Sequence, residues 1–295
     1  MKVSLLLDSG AFTAWSKRGV VDLDAYIDFI KEYDAYLDYY VNLDCIPGEW
    51  GRKPTRDEFE LSAAQGYKNY EYMLKAGVNP DKLIHVFHQH EDWRWLKRMV
   101  REIPYIGLSP ANDSDMASKR RWLDECMNYV TDSDGYPLVK FHGFAVTSVE
   151  LMYKYPWYSV DSATWKLTSG YGSIIVPAWN ENGEFVYDRR PLSVRITRMG
   201  LSRELMGRRF DFLTEQEKMK VLEYVESKGF VFGKVKIENG ELKVIEEGLV
   251  TQYRQRELLN MIFFEDFRSR LEPFPHRRYQ RKALATQEFD IGGMQ

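Results

Sequence analysis

Only two cysteines, Cys45 and Cys126, occur in the 295 residues. That excludes a disulfide framework and a four-cysteine zinc site, and makes a reduced, cytoplasmic compartment the default expectation. Long apolar runs are missing as well. The first apolar stretch, residues 3–7, stops at Asp8 and is too short for the core of a signal peptide, and nothing in the chain approaches the length of a membrane span. No charge sign dominates: 41 Lys and Arg against 44 Asp and Glu leave a formal charge of −3. No overall field therefore draws the chain onto nucleic acid, although local patches stay open. Internal repeats and low-complexity linkers are also absent.

What is present reads as a soluble globular protein, with 44% apolar and 29% charged residues. Aromatics, at 15%, are plentiful and suit a ring-rich core and a site that stacks flat ligands. From residue 3 to about 161, short apolar runs alternate with segments of helical periodicity. Asp22 caps a segment with Leu23, Tyr26, Ile27 and Ile30 on one face, and the stretch 54–75 is closed by Gly77. Further strand-then-helix pairs fall at 83–101, 105–130 and 138–153, before a last strand that ends at Asp161. Such an order predicts parallel strands joined by right-handed crossovers. The expected fold is α/β, a (β/α)8 TIM-like barrel with added C-terminal helices and a β-hairpin. Residues 1–176 would form the main part of the barrel. Residues 177–295 would supply its remaining elements and basic decorations, with a capping box at Thr214 and Glu217 and a hairpin turn at Asn239-Gly240.

Three of these strands stop on an acid, at Asp8, Asp44 and Asp161. Buried strands favour Val, Ile and Leu, and a carboxylate taken from water needs a partner or a task. In a parallel barrel the strands' C-terminal ends share one rim, so the three acids would meet there. Taken singly, each has a plainer reading as a turn residue, a helix cap or half of an ion pair. Asp8-Ser9-Gly10-Ala11-Phe12 adds a tight turn and an aromatic face, and Pro104-Tyr105-Ile106-Gly107-Leu108-Ser109 puts a glycine where a ligand could approach the backbone.

With Phe141-His142-Gly143-Phe144 and the Asp161 strand added, the order of motifs over roughly residues 1–165 resembles the tRNA-guanine transglycosylase superfamily of (β/α)8 barrels. The resemblance implies that Asp161 is the nucleophile at the sugar C1′ and that Asp8 is the acid/base for the departing and incoming bases. It implies a base pocket read by Asp44, stacked by Phe12 and lined by Ser9, His142, Gly143 and the backbone of Gly107 and Leu108. The family's glutamine on the third strand falls at Phe87-His88-Gln89-His90, where either His88 or Gln89 could stand.

One departure from the family is informative. No cysteine follows Asp161, so the zinc site that supports RNA binding in tRNA-acting members has no ligands here, and no metal is expected. Basic runs follow instead, with Arg189, Arg190, Arg195, Arg198, Arg208 and Arg209, then Arg277 and Arg278. Either run is as readily a solvated face; beside a base-exchanging site they read as phosphate clamps. This combination points to the phage-type DNA 7-deazaguanine transglycosylases (DpdA). The resemblance then implies DNA as substrate, a 7-deazaguanine such as preQ0 as the incoming base, no cofactor, accessory proteins as possible partners and the host cytoplasm as location. The alternatives are the same chemistry on tRNA, a catalytically silent nucleic-acid-binding or partner barrel, and a retaining glycoside hydrolase.

Overall fold

The computed structural model describes residues 4–111, 114–146, 148–197, 208–238 and 241–281. The chain begins β1 (Leu6–Leu7), α1 (Ala11–Ser16), α2 (Leu23–Tyr33), β2 (Tyr39–Val41), α3 (Arg56–Lys75) and β3 (Leu83–His88). It continues α4 (Trp93–Glu102), β4 (Tyr105–Ser109), α5 (Met116–Val130), β5 (Lys140–Gly143), α6 (Val149–Lys154) and β6 (Ser159–Val160). All six strands are parallel neighbours in chain order. Helix starts follow capping chemistry: the Asp22 side chain accepts from two backbone N–H groups, and Thr55 with Glu58 forms a capping box. On the outer layer, Met73, Leu96, Met99, Leu123, Cys126 and Met127 pack in one core with Leu83, Phe87, Ile106, Leu108 and Phe141.

The sheet is strongly curled. Tyr39 on β2 and Tyr158 just before β6 join hydroxyls at 2.5 Å. Four strand steps in a flat sheet would hold them about 19 Å apart. Tyr105 of β4 packs edge-on against both rings, at 5.0 and 5.2 Å. The Lys140 ammonium lies over the Tyr39 and Tyr158 rings, 5.7 and 4.9 Å from their centroids. The three tyrosines come from the N-terminal ends of the alternate strands β2, β4 and β6 and, with Lys140 of β5, fill that end of the curl, as a layer of side chains does in a barrel.

Closure, however, does not follow, and the expected eight-stranded barrel is corrected to a six-stranded half-barrel. After α7 (Thr164–Gly170), β7 (Ser173–Val176) pairs antiparallel with β10 (Leu192–Arg195) rather than with β6. β11 (Arg208–Arg209) completes that second sheet, and β8 (Ala178–Trp179) pairs with β9 (Phe185–Val186). The alternation of β7 explains why it leaves. Ile175 belongs to the main core, while Ile174 and Val176 turn to a second core with Val194, Val221, Tyr224 and Leu259. α8 (Glu215–Ser227) opens with the expected Thr214–Glu217 capping box. β12 (Lys234–Glu238) and β13 (Glu241–Glu246) form the expected hairpin ladder, whose Asn239-Gly240 turn lies outside the described residues. α9 (Tyr253–Ser269) joins the two cores, with Leu259 in one and Phe263 and Phe267 in the other. Among the described residues, no helix is long and apolar enough to cross a membrane.

Candidate active site at the C-terminal rim of the half-barrel

Asp8, Asp44 and Asp161 follow β1, β2 and β6 and stand at one rim of the curled sheet. Their closeness is electrostatically visible. Desolvation raises the pKa of Asp8 first, and the charges of Asp44 and Asp161 raise it further, against the N–H groups of Ser9 and Gly10. Gly10 allows this turn because its φ of 74° is one that a side chain would strain. Asp161 moves the other way. Burial pushes its carboxyl up, but His142 and the Ala145 N–H outweigh this and hold it below the ordinary aspartate value. That N–H donates to Oδ1 at 2.7 Å, while His142 Nε2 stands at a longer 3.5 Å. The side chain of Asp161 is 58% exposed, so a substrate can reach it.

A polar chain runs inward from Asp161. His142 Nδ1 meets Ser159 Oγ at 2.6 Å, and Ser159 Oγ meets the Tyr105 hydroxyl at 2.5 Å. His142 is buried, and its Nε2 has no hydrogen-bond partner closer than the Asp161 carboxylate.

Asp44 is more enclosed, its side chain 10% exposed. Its Oδ2 lies 2.9 Å from His88 Nε2, and Ser9 donates to its Oδ1 at 3.4 Å. The other nitrogen of His88 meets Glu91 at 2.9 Å. Burial opposes charge on this imidazole, but the two carboxylates overcome it and push the pKa up to about 10, so the ring is a cation at neutral pH. Burial in turn raises Glu91. A void of about 10 Å³ behind Asp44, bordered by His85, His88 and Glu91, holds no more than about one water.

Of His88 and Gln89, it is His88 that meets Asp44. Gln89 is buried and accepts from the Ala111 N–H at 2.9 Å, so it fixes the loop after β4. Gly107, expected to admit a base, admits Phe144 instead. A Cβ there would lie 2.4 Å from Phe144 Cε2. Gly143 backs onto Val146 and Trp157, where a Cβ would stand 2.7 and 3.1 Å away. The Leu108 side chain is fully buried, and its carbonyl accepts from Phe144 N–H at 3.0 Å. Gly107→Ala should therefore destabilise the protein by about 1–3 kcal/mol through overpacking. Urea unfolding of the Gly107→Ala/Phe144→Ala pair should show a smaller loss than the two single losses added together. Strict additivity would mean that the contact is energetically idle.

Phe12 is 45% exposed at the same rim, where it meets the rings of Trp15 and Trp50 at 5.8 and 6.2 Å. The basic runs are less available than their composition suggests. Arg208 pairs with Glu217, Arg209 with Asp211 and Arg189 with Asp188. Arg277 donates to the Met152 and Tyr153 carbonyls, and Arg195 also has interactions. Arg190 and Arg278 are exposed, and Arg198 lies outside the described residues. Among the described residues, no group of three or more His, Cys, Asp or Glu is arranged to hold a metal ion. Cys45 is no ready nucleophile, since burial first and then Asp44 and Glu91 push its thiol up to about 11.

Sequence reasoning missed Glu91, Phe144, the Ser159–Tyr105 chain and the two tryptophans. The spacing of His88 and Glu91 was the one available signal. Compared with known proteins, the chain matches no family model and no curated protein.

Proposed function

We propose that this protein is a DNA guanine transglycosylase that exchanges guanine for a 7-deazaguanine such as preQ0 through a covalent Asp161–sugar ester. The observation that carries this reading is the opposed titration of two neighbouring acids. The carboxyl of Asp8 is pushed up by burial and by the charges of Asp44 and Asp161, whereas that of Asp161 is held down by His142 and the Ala145 N–H, so of the two Asp8 takes up a proton first. Carboxylates pushed apart in this way divide into a proton donor and a nucleophile. The motif order that resembles the transglycosylases assigns the same two roles.

In this mechanism an Asp161 oxygen attacks C1′, the bond from C1′ to guanine breaks, and Asp8 gives its proton to the departing base. The incoming base then gives a proton back to Asp8, and its nitrogen attacks C1′ and expels the carboxylate. Two inversions at one carbon retain the sugar's configuration. One glycosidic bond is exchanged for another, so the reaction needs no energy-rich co-substrate. His142 and the Ala145 N–H keep the nucleophile charged and aimed. A base that reaches Gly107 must first displace the Phe144 ring, and duplex DNA must present its guanine flipped or unpaired.

The test is release of guanine and uptake of labelled preQ0 by single-stranded DNA, with tRNA as the parallel substrate. Exchange on tRNA alone would favour the same chemistry on the other nucleic acid, and exchange on neither would leave a silent binding module. Asp8→Asn should lower exchange by about 10²- to 10⁴-fold with nucleic-acid affinity nearly intact; equal loss of both would contradict its role.

The same variant makes a stability prediction. The folded pKa of Asp8 lies above its ordinary value of 3.8, so across that window the native state binds more protons than the unfolded chain. Stability therefore falls as pH rises through the window and stays lower above it. Asp8→Asn should raise Tm at pH 7 and leave it unchanged well below 3.8. A lower Tm at pH 7 would mean that the charged form is the favoured one.

A further inference from the structure

The loop after β2 carries a feature that base exchange itself does not use. Trp50 is 54% exposed and stands nearly perpendicular to two other rings. Its plane makes 80° with Trp15 at 5.2 Å and 81° with Phe12 at 6.2 Å. Together the three rings make an open corner of aromatic faces beside the turn that bears Asp8. The corner is built rather than accidental. Trp15 Nε1 donates to the Gly48 carbonyl at 2.7 Å, tying α1 to the loop. Gly48 and Gly51 both have positive φ, and Pro54 folds back to within 3.2 Å of where a Gly48 Cβ would be. A loop held in this shape to present a large ring to solvent forgoes burial of one of the most apolar side chains, which points to a partner.

The charges around the corner indicate the kind of partner. Lys17 and Arg18 close α1, and the Arg18 N–H bonds to the Trp15 carbonyl at 3.1 Å. Lys53 and Arg56 follow Trp50 on either side of Pro54. All four are exposed and make no ion pair among the described residues, whereas neighbouring Arg52 is taken by Glu58. An aromatic face beside unpaired cations suits an unpaired base with its phosphates.

We propose that Trp50 and Trp15, beside Phe12, form a stacking ledge for an unpaired base of a single-stranded nucleic acid, next to the target nucleotide, with Lys17, Arg18, Lys53 and Arg56 meeting its phosphates. The ledge deepens the base-exchange reading and rests on it for biological purpose, but its binding is measurable without exchange. Fluorescein-labelled dT12 and rU12 contain no guanine, so they probe the ledge and not the chemistry.

With the full chain, anisotropy titrations should give Trp50→Ala about 5- to 150-fold weaker binding than wild type, the range for one lost stacking contact. Trp50→Phe should keep most of the affinity, which separates stacking from misfolding. Lys17→Ala and Lys53→Ala should each reduce the slope of log affinity against log salt by roughly one. Tighter binding of dT12 or of rU12 identifies the strand type, and either result supports the ledge. Equal affinity of wild type and Trp50→Ala for both oligomers would overturn it. So would quenching of tryptophan fluorescence by cellotetraose but not by dT12, which would make the corner a carbohydrate site. Absent exchange with Trp50-dependent dT12 binding would sink the reaction and leave the ledge standing. Exchange that persists with Trp50-independent binding would do the reverse.

Discussion

Asp161→Ala is expected to abolish the covalent adduct with nucleic acid and to lower base exchange on the order of 10⁴-fold or more, as loss of a nucleophile does. A denaturation-resistant protein–DNA band should form with wild type and be missing with the variant. Folding should survive, because the side chain is 58% exposed and its closest contact is one backbone N–H, that of Ala145. Nucleic-acid affinity should change little, since the carboxylate adds negative charge and no phosphate contact. His142→Ala separates positioning from chemistry. Without the imidazole, Asp161 loses one of the two groups that hold it ionised, so the acid limb of the rate profile should move to higher pH while adduct still forms at alkaline pH. An adduct undiminished in Asp161→Ala would remove the assigned nucleophile and the reaction with it.

His88→Ala is expected to cost about 3–5 kcal/mol of stability, the usual loss when one partner of a buried charge cluster is deleted. The ring has Asp44 on one nitrogen and Glu91 on the other, both at 2.9 Å, and their side chains are 10% and 3% exposed. Removing it leaves two enclosed carboxyls facing one another with no cation between them. Adding Glu91→Gln should return part of the loss, since one of the repelling acids is then neutral. The sign of the pH dependence follows from the shift. A histidine raised from 6.5 to about 10 stabilises the fold fully below 6.5, and the contribution fades as pH climbs toward 10. Wild type should lose stability across that interval, and His88→Ala should be flatter. Urea melts at pH 6, 8 and 10 measure both; parallel losses in the two proteins would show that His88 is neutral in the fold.

The acids at strand ends were legible in the sequence because a short apolar run that stops on Asp violates core composition. Parallel alternation was legible through β6, as were the caps at Asp22, Thr55 and Thr214, because each rests on local chemistry. Closure was not. Ser173–Val176 is a plain apolar strand, and which sheet it joins depends on its partner, Leu192–Arg195, a choice made by tertiary packing. Register at His88-Gln89 was equally hidden, since adjacent strand residues face opposite sides and both carry hydrogen-bonding groups. Phe144 over Gly107 had no signal either. A glycine that makes room for a ring reads the same as one that makes room for a ligand. The ionic engagement of the arginines depends on partners such as Glu217 and Asp211, whose nearness emerges only on folding.

Asp8 and Asp161, the proposed proton donor and nucleophile, follow the two edge strands of an unclosed sheet. In a sealed barrel their spacing would be dictated by a continuous ladder of backbone hydrogen bonds. Here no strand among the described residues bridges β1 and β6, so the two margins can draw together or spread without breaking a single rung. In the proposed reaction the span between the two acids is thus set by side chains and loops rather than by backbone pairing.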